Sequence, residues 1–159
     1  MRKSIQDFKY HGRQEYAEYY VQQLLEEYGE QLRSLDPEAV IPVPIHRKRR
    51  QRRGYNQAEL LAEGIAEALE IPLLQDYLMR SRDTVPQKEL NPTARRRNLQ
   101  SAFQINQRSK AWRRYWKRVL LVDDIYTTGS TVEACSQILR QAGTGEIYVL
   151  CLCIGHTID

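Results

Sequence analysis

LLVDDIYTTGST, Leu120 to Thr131, is the stretch on which the reading of this chain turns. A short apolar run of strand character ends in two adjacent carboxylates, Asp123 and Asp124, and small hydroxyl residues around Gly129 follow at once. In open α/β sheets, ligands collect beyond the carboxyl ends of the strands, which is where this pattern places the two acids. The residues after Tyr126 carry little side-chain bulk and lead into a helical pattern, with Val132, Cys135, Ile138, Leu139 and Ala142 on one face. Their backbone N–H groups can converge on a phosphate, helped by the helix dipole. Thr127, Thr128, Ser130 and Thr131 add hydroxyl donors, and Gly129 permits close approach or a positive φ. Two carboxylates beside such a nest repel a bare phosphate, but they accept hydrogen bonds from a sugar diol. The stretch therefore predicts a ligand that carries both a phosphate and a ribose.

Upstream, Ala17, Val21, Leu24, Leu25, Tyr28 and Leu32 recur at spacings of three and four, which predicts an amphipathic helix from Gly12 to about Arg33, ended by Asp36-Pro37. AVIPVPI, Ala39 to Ile45, reads as a strand entering a loop, because its prolines exclude a helix interior. Six of the seven residues from Arg47 to Arg53 are basic, and this run reads as a loop. A second helical face follows, Ala58, Leu61, Ala62, Ile65 and Leu69, with Asn56 placed to cap its start and Ile71-Pro72 to end it. LLQDYLMRS and SAFQI read as strands, and IYVLCLCI reads as a closing buried strand. Strands alternating with helices predict an α/β fold, a mainly parallel sheet flanked by helices.

The 159 residues are enough for one compact domain, and 42% hydrophobic with 28% charged residues is a globular composition. With no run long enough for a membrane span and no signal-peptide core at the N-terminus, the chain reads as cytoplasmic. The cysteines Cys135, Cys151 and Cys153 match neither a zinc site nor a disulfide framework, and they read as buried free thiols. The net charge is +4, concentrated locally. The run from Arg47 with Tyr55, and the later Trp112 to Lys117 segment, pair cations with aromatic rings as a single-stranded nucleic-acid surface does. On this reading Arg49, Arg50, Arg52, Arg53 and Tyr55 contact the strand; the alternative is a solvated cationic loop whose first members serve pyrophosphate.

VLLVDDIYTTGST, Val119 to Thr131, resembles the 5-phosphoribosyl-1-pyrophosphate (PRPP) binding signature of the type I phosphoribosyltransferases, and it lacks the G-x-x-x-x-G-K of a Walker loop. FKYHGR near the N-terminus, IPVPIHRKRRQRRGYNQAELLA from Ile41, RDTVPQKELNPTARRRNLQSAF from Arg82 and the signature together resemble the ComF family, phosphoribosyltransferase-like proteins linked to natural competence and DNA uptake. The resemblance implies a single phosphoribosyltransferase domain over residues 1–159, with a flexible hood loop at about 80–100. The family's N-terminal four-cysteine zinc module is not found in these 159 residues, where no cysteine precedes Cys135, so the chain is either a variant without it or part of a longer protein.

It further implies PRPP bound with Mg²⁺ and a phosphoribosyl group passed to an unknown acceptor. Asp123 and Asp124 would be catalytic and hold the ribose hydroxyls, directly or through the metal. Thr127, Thr128, Gly129, Ser130 and Thr131 would bind the phosphate, and Pro44, Ile45, His46 and Arg47 the pyrophosphate, in a loop with unusual peptide geometry. Arg95 and Arg97 of the hood would neutralise the leaving group, and His156 is a candidate base contact. The alternative is a non-catalytic competence factor that senses PRPP or a nucleotide and binds single-stranded DNA and partners such as a DNA-uptake helicase.

Overall fold

The computed structural model describes residues 15–81 and 101–155. Most of the hood segment, with Arg95 and Arg97, lies outside the described residues, as do the FKYHGR stretch and His156.

The chain runs α1 (Glu15–Ser34), β1 (Ala39–Pro42), α2 (Arg47–Arg53), α3 (Gln57–Leu69), β2 (Leu78–Arg80), β3 (Phe103–Ile105), β4 (Arg118–Tyr126), α4 (Ser130–Gln141) and β5 (Glu146–Ile154). β4 is the middle strand of a parallel sheet ordered β1-β4-β5, with Ile41 opposite Leu121 and Leu121 opposite Val149. Beyond β1 the sheet is extended by one parallel bridge, Val40 to Leu73. β2 and β3 form a separate antiparallel pair.

Side chains alternate across a strand, so consecutive residues of β4 serve two different cores. Val119 and Leu121 face α4 and the β2–β3 pair, packing with Cys135, Leu139, Tyr77 and Phe103. Leu120 and Val122 face the other way, onto α1 and α3, where Val21, Leu24, Leu61 and Ile65 meet them. The result is a sheet covered by helices on both faces, as the alternation of elements predicts. Each such large apolar side chain contributes about 1.5–3 kcal/mol when removed from water.

Four expectations change. The basic run is a helix, α2, although none of its residues is buried. It is made at its ends: His46 Nδ1 accepts the Lys48 N–H at 3.2 Å, and Gly54, at φ 84°, donates its N–H to the Arg50 carbonyl at 2.7 Å. The strand expected over LLQDYLMRS shrinks to Leu78–Arg80, because a turn occupies the residues before it. β4 continues to Tyr126, so Asp123 and Asp124 lie within the strand rather than after it. β5 is an edge strand, half-buried along most of its length, with Ile154 75% exposed. All three cysteines are free thiols, and Cys135 alone is fully buried. Among the described residues no helix is long and apolar enough to cross a membrane.

Candidate functional site

The parallel sheet brings three chain exits to one end: the loop after β1, the loop after β4, and the close of β5. Val43 donates its N–H to the Val122 carbonyl at 2.8 Å, and Gly155 donates to the Tyr126 carbonyl at 2.8 Å. These bonds stitch the β1 and β5 exits to the end of β4, so Pro44 to Arg47 and Asp123 to Thr131 leave the sheet at the same edge.

Asp123 and Asp124 are neighbours on a pleated strand and so project to opposite faces. Asp123 is 8% exposed and lies on the α4 side; Asp124 is half-buried. The Asp123 carboxylate accepts the Asp124 N–H at 2.9 Å. Its charge reaches two thiols, one in α4 and one in β5. Burial and then Asp123 raise the Cys135 pKa far above the ordinary thiol value. Burial, then Asp123, then Asp124, push Cys151 up to about 12. Both thiols therefore stay neutral at physiological pH and are poor nucleophiles.

The loop from Thr127 to Gly129 opens directly into α4. Gly129 is the N-cap, at φ 76°, and as a glycine it offers no capping side chain to the helix. Ser130, the residue type expected to cap, instead lies inside the first turn. Thr128 Oγ1 and Ser130 Oγ share a hydrogen bond of 2.8 Å, and the Ser130 N–H points to Thr128 Oγ1 at 3.4 Å. Thr127 and Thr128 are exposed, while Ser130 and Thr131 are half-buried. The first turn of α4 thus opens at the end of β4 that carries the two carboxylates, an arrangement suited to an anion joined to a polyol.

Pro44, Ile45 and Arg47 line a groove of about 350 Å³ with Arg50, Arg80 and Asn106 among its other walls. His46 is engaged as the cap of α2. No cis peptide occurs among the described residues.

The cation and aromatic readings divide. Tyr55 is 7% exposed and packs into the core beside α3, where burial raises its pKa; its ring is not a stacking platform. Arg50 is paired with Glu59 at 2.6 Å, and Arg53 Nη1 donates to Gln57 Oε1 at 3.4 Å, so both turn toward α3. Arg49 and Arg52 are exposed. The Trp112 to Lys117 segment does not join this surface. It precedes β4, and the Lys117 N–H donates to Glu38 Oε2 at 2.6 Å, at the amino end of the sheet. α2 comes after β1 and sits at the carboxyl end. Within that segment Trp116 is 2% exposed under the Arg114 guanidinium, 4.2 Å from the ring centroid.

Three contributors escaped the sequence reading. Tyr126 lays its phenol against Gly129, where an added Cβ would overlap Tyr126 Oη. Asn56, read as a cap, also donates its side-chain amide to the Val43 carbonyl at 3.0 Å and so holds the β1 exit. Arg80, at the start of the hood segment, stacks on Phe103 at 5.3 Å and lines the groove. The signal for Asn56 was its place in RGYNQ next to the β1 loop; neither of the others has a local signature.

No family model matches the chain. It is 43% identical over 113 residues to competence protein F of Haemophilus influenzae, covering 71% of this chain and 48% of that protein. It is 35% identical over 117 residues to DNA utilization protein YhgH of Escherichia coli O157:H7, covering 74% and 49% respectively. The chain thus spans about half the length of the curated relatives it matches. Among solved structures, a purine phosphoribosyltransferase from Pyrococcus horikoshii superposes with a TM-score of 0.53 and 20% identity, over 86% of this chain and 73% of that one. At that identity the likeness bears on fold alone. By sequence the chain belongs with the competence protein F and YhgH proteins, the ComF family, and it is built on the fold of the type I phosphoribosyltransferases.

Proposed function

We propose that this chain binds PRPP with Mg²⁺ at the carboxyl end of β4 and transfers the phosphoribosyl group to an acceptor. One observation carries the reading: the first turn of α4 opens at the N-cap Gly129, with four residues between it and the paired acids Asp123 and Asp124 in the last part of the central strand. The amides of that turn suit the 5-phosphate, and the two carboxylates suit the ribose hydroxyls. Pro44 to Arg47 leave β1 at the same edge and would face the pyrophosphate, with Arg95 and Arg97 of the hood segment adding charge.

Asp123 and Asp124 offer the hard oxygen donors that Mg²⁺ takes, but they diverge across the strand. No group of three metal-ligating side chains occurs among the described residues. The donors therefore fit an ion that arrives on the substrate's own phosphates and keeps several waters. When bound, it neutralises charge on the pyrophosphate. In the transfer, the bond from the anomeric carbon to pyrophosphate oxygen breaks, its electron pair leaves on pyrophosphate, and a nucleophile of the acceptor bonds to that carbon. The carboxylates orient the ribose, the amides fix its phosphate, and both act by positioning.

The relatives' names, competence protein F and DNA utilization protein, support a role connected with competence and DNA use, and the role proposed for this chain is in DNA uptake, in the cytoplasm. The exposed cationic face of α2 favours a second reading, a non-catalytic factor that senses PRPP or a nucleotide and works through single-stranded DNA and uptake proteins such as a helicase. Calorimetry with PRPP, with and without Mg²⁺, and with ribose 5-phosphate tests the site. PRPP should bind at least about ten-fold more tightly than ribose 5-phosphate, and only with Mg²⁺. Equal affinities would remove the pyrophosphate loop from the proposal. Pyrophosphate release on addition of acceptor then separates the enzyme from the sensor.

A further inference from the structure

The layer formed by α1 and α3 carries the opposite charge to α2. α1 and α3 together hold eight glutamates against the single Arg33, in a chain whose net charge is +4. Between the two helices runs a groove of about 970 Å³. Its floor is two rows at helical spacing of four: Ala17, Val21 and Leu25 from α1, and Leu60, Gly64 and Ala68 from α3. At the middle the helices nearly touch, since a Cβ on Gly64 would lie 2.9 Å from Val21 Cγ2. Leu25, Leu60 and Ala68 remain half-exposed, and no described element covers them.

The rims are acidic on both sides. Glu18 and Glu26 stand along α1, and Glu63 and Glu67 along α3, all four exposed. Glu26 accepts from Gln22 and Gln23, each at 3.0 Å, and among the described residues no basic side chain lines the groove. Rows at i and i+4 on two helices form the kind of channel into which a third helix lays its own ridge. The floor spans about 12 Å along each axis, or two helical turns.

We propose that this groove docks an amphipathic helix of a partner protein, with small or branched apolar residues on its inner stripe and lysines or arginines along both flanks. Charge complementarity selects this occupant. Nucleic acid is repelled by the four rim carboxylates, and an acidic helix equally so. The apolar floor requires a stripe and not merely positive charge. The groove lies on the helical layer of the sheet, so it stays open while the β4 site is filled, and its occupancy does not depend on PRPP.

The test uses the full chain and a synthetic peptide of about eighteen residues, long enough for five turns, with leucines on one face and lysines on the other. A scrambled peptide of identical composition and a leucine–glutamate version are the controls. The leucine–lysine peptide should bind in the micromolar range, the scrambled one at least about ten-fold more weakly, and the acidic one not at all. Glu63→Lys with Glu67→Lys should weaken the first peptide at least about ten-fold and admit the acidic one. Circular dichroism should show the doubly substituted chain folded. Equal binding of scrambled and ordered peptides, or unchanged affinity in the charge-reversed chain, overturns the proposal. So does a chain lacking residues 1–14 that binds about ten-fold more tightly, which would assign the groove to the protein's own basic N-terminal segment. A dimer abolished by Glu63→Lys would assign it to a second copy, with the same result.

Discussion

Asn56 donates its side-chain amide to the Val43 carbonyl at 3.0 Å while its Oδ1 accepts the Ala58 N–H at 3.2 Å. One side chain, 2% exposed, thus caps α3 and holds the strand exit that leads to Pro44. Asn56→Ala removes the cap, worth about 1 kcal/mol, and orphans a carbonyl at a further 1–3 kcal/mol or so. Asn56→Asp keeps the acceptor and loses the donor, so it should fall between. Urea denaturation of the three chains checks the order, and an alanine variant as stable as the parent would refute the double role.

Gly129 answers to two constraints at once, its φ of 76° and the phenol of Tyr126. Gly129→Ala should destabilise the chain by about 1–2 kcal/mol from the backbone alone, plus whatever is needed to displace the ring. Tyr126→Ala in that background should recover the second part and not the first. A double-mutant cycle on the denaturation midpoints reads the difference directly. Strict additivity would mean that the ring and the loop do not touch.

How much of the fold and the site is legible depends on the signal each element carries. The β4 exit announces itself because apolar strand, paired acids and a glycine among hydroxyls are chemically unlike one another and fall in order. α1 and α3 are legible through apolar spacing, and α3 through its asparagine cap. α2 is not, since seven residues without an apolar member have no periodicity and are folded by their ends. The stretches of β2 and β3 read correctly as strands, but at three residues each they are too short for alternation to fix where the strands begin. The apolar run of β5 is the same whether a strand lies in the middle or at an edge, so its exposure is a tertiary fact. The separation of α2 from the tryptophan segment was readable in principle: a segment leaving one strand of a parallel pair and a segment entering the other lie at opposite ends of the sheet.

Asp123 lies close enough to Cys135 and Cys151 to raise both thiol pKa values, after burial itself. Asp123→Asn removes that charge and leaves the burial. The alkylation midpoint of Cys151, followed by mass spectrometry across a pH series, should move down from about 12 while staying above the ordinary 9.0. Asp124→Asn should move it less, because Asp124 is the smaller cause. An unmoved midpoint in Asp123→Asn would place the carboxylate away from β5 and from the proposed ribose position.

The same thiols set the alkaline limit of stability. Below pH 9.0 Cys151 is protonated in both the folded and the unfolded chain, and its contribution is constant. Between 9.0 and about 12 the unfolded chain releases this proton and the folded chain retains it, so stability falls as pH rises through that window. The loss is at most about 1.4 kcal/mol per pH unit for one thiol. Tyr55 and Tyr77, both raised by burial, act in the same direction above 10.0. Urea melts at successive pH values from 8 upward should show the decline, and Cys151→Ala should flatten its first part. An equal decline in that variant would shift the cause to the tyrosines and Cys135.

The cations of α2 should separate by direction. Arg50 is committed to Glu59 and Arg53 to Gln57, whereas Arg49 and Arg52 face solvent. If the helix binds single-stranded DNA, Arg49→Glu with Arg52→Glu should lower the slope of log affinity against log salt by about 1.4, close to 0.7 for each lost phosphate contact. Their effect on stability should stay within about 0.5 kcal/mol, as for exposed positions in general. Arg50→Glu should behave in reverse, setting two carboxylates against each other beside α3 and lowering stability more than it lowers the salt slope. A slope untouched by the Arg49 and Arg52 reversal would remove the two solvent-facing arginines of α2 from any nucleic-acid surface.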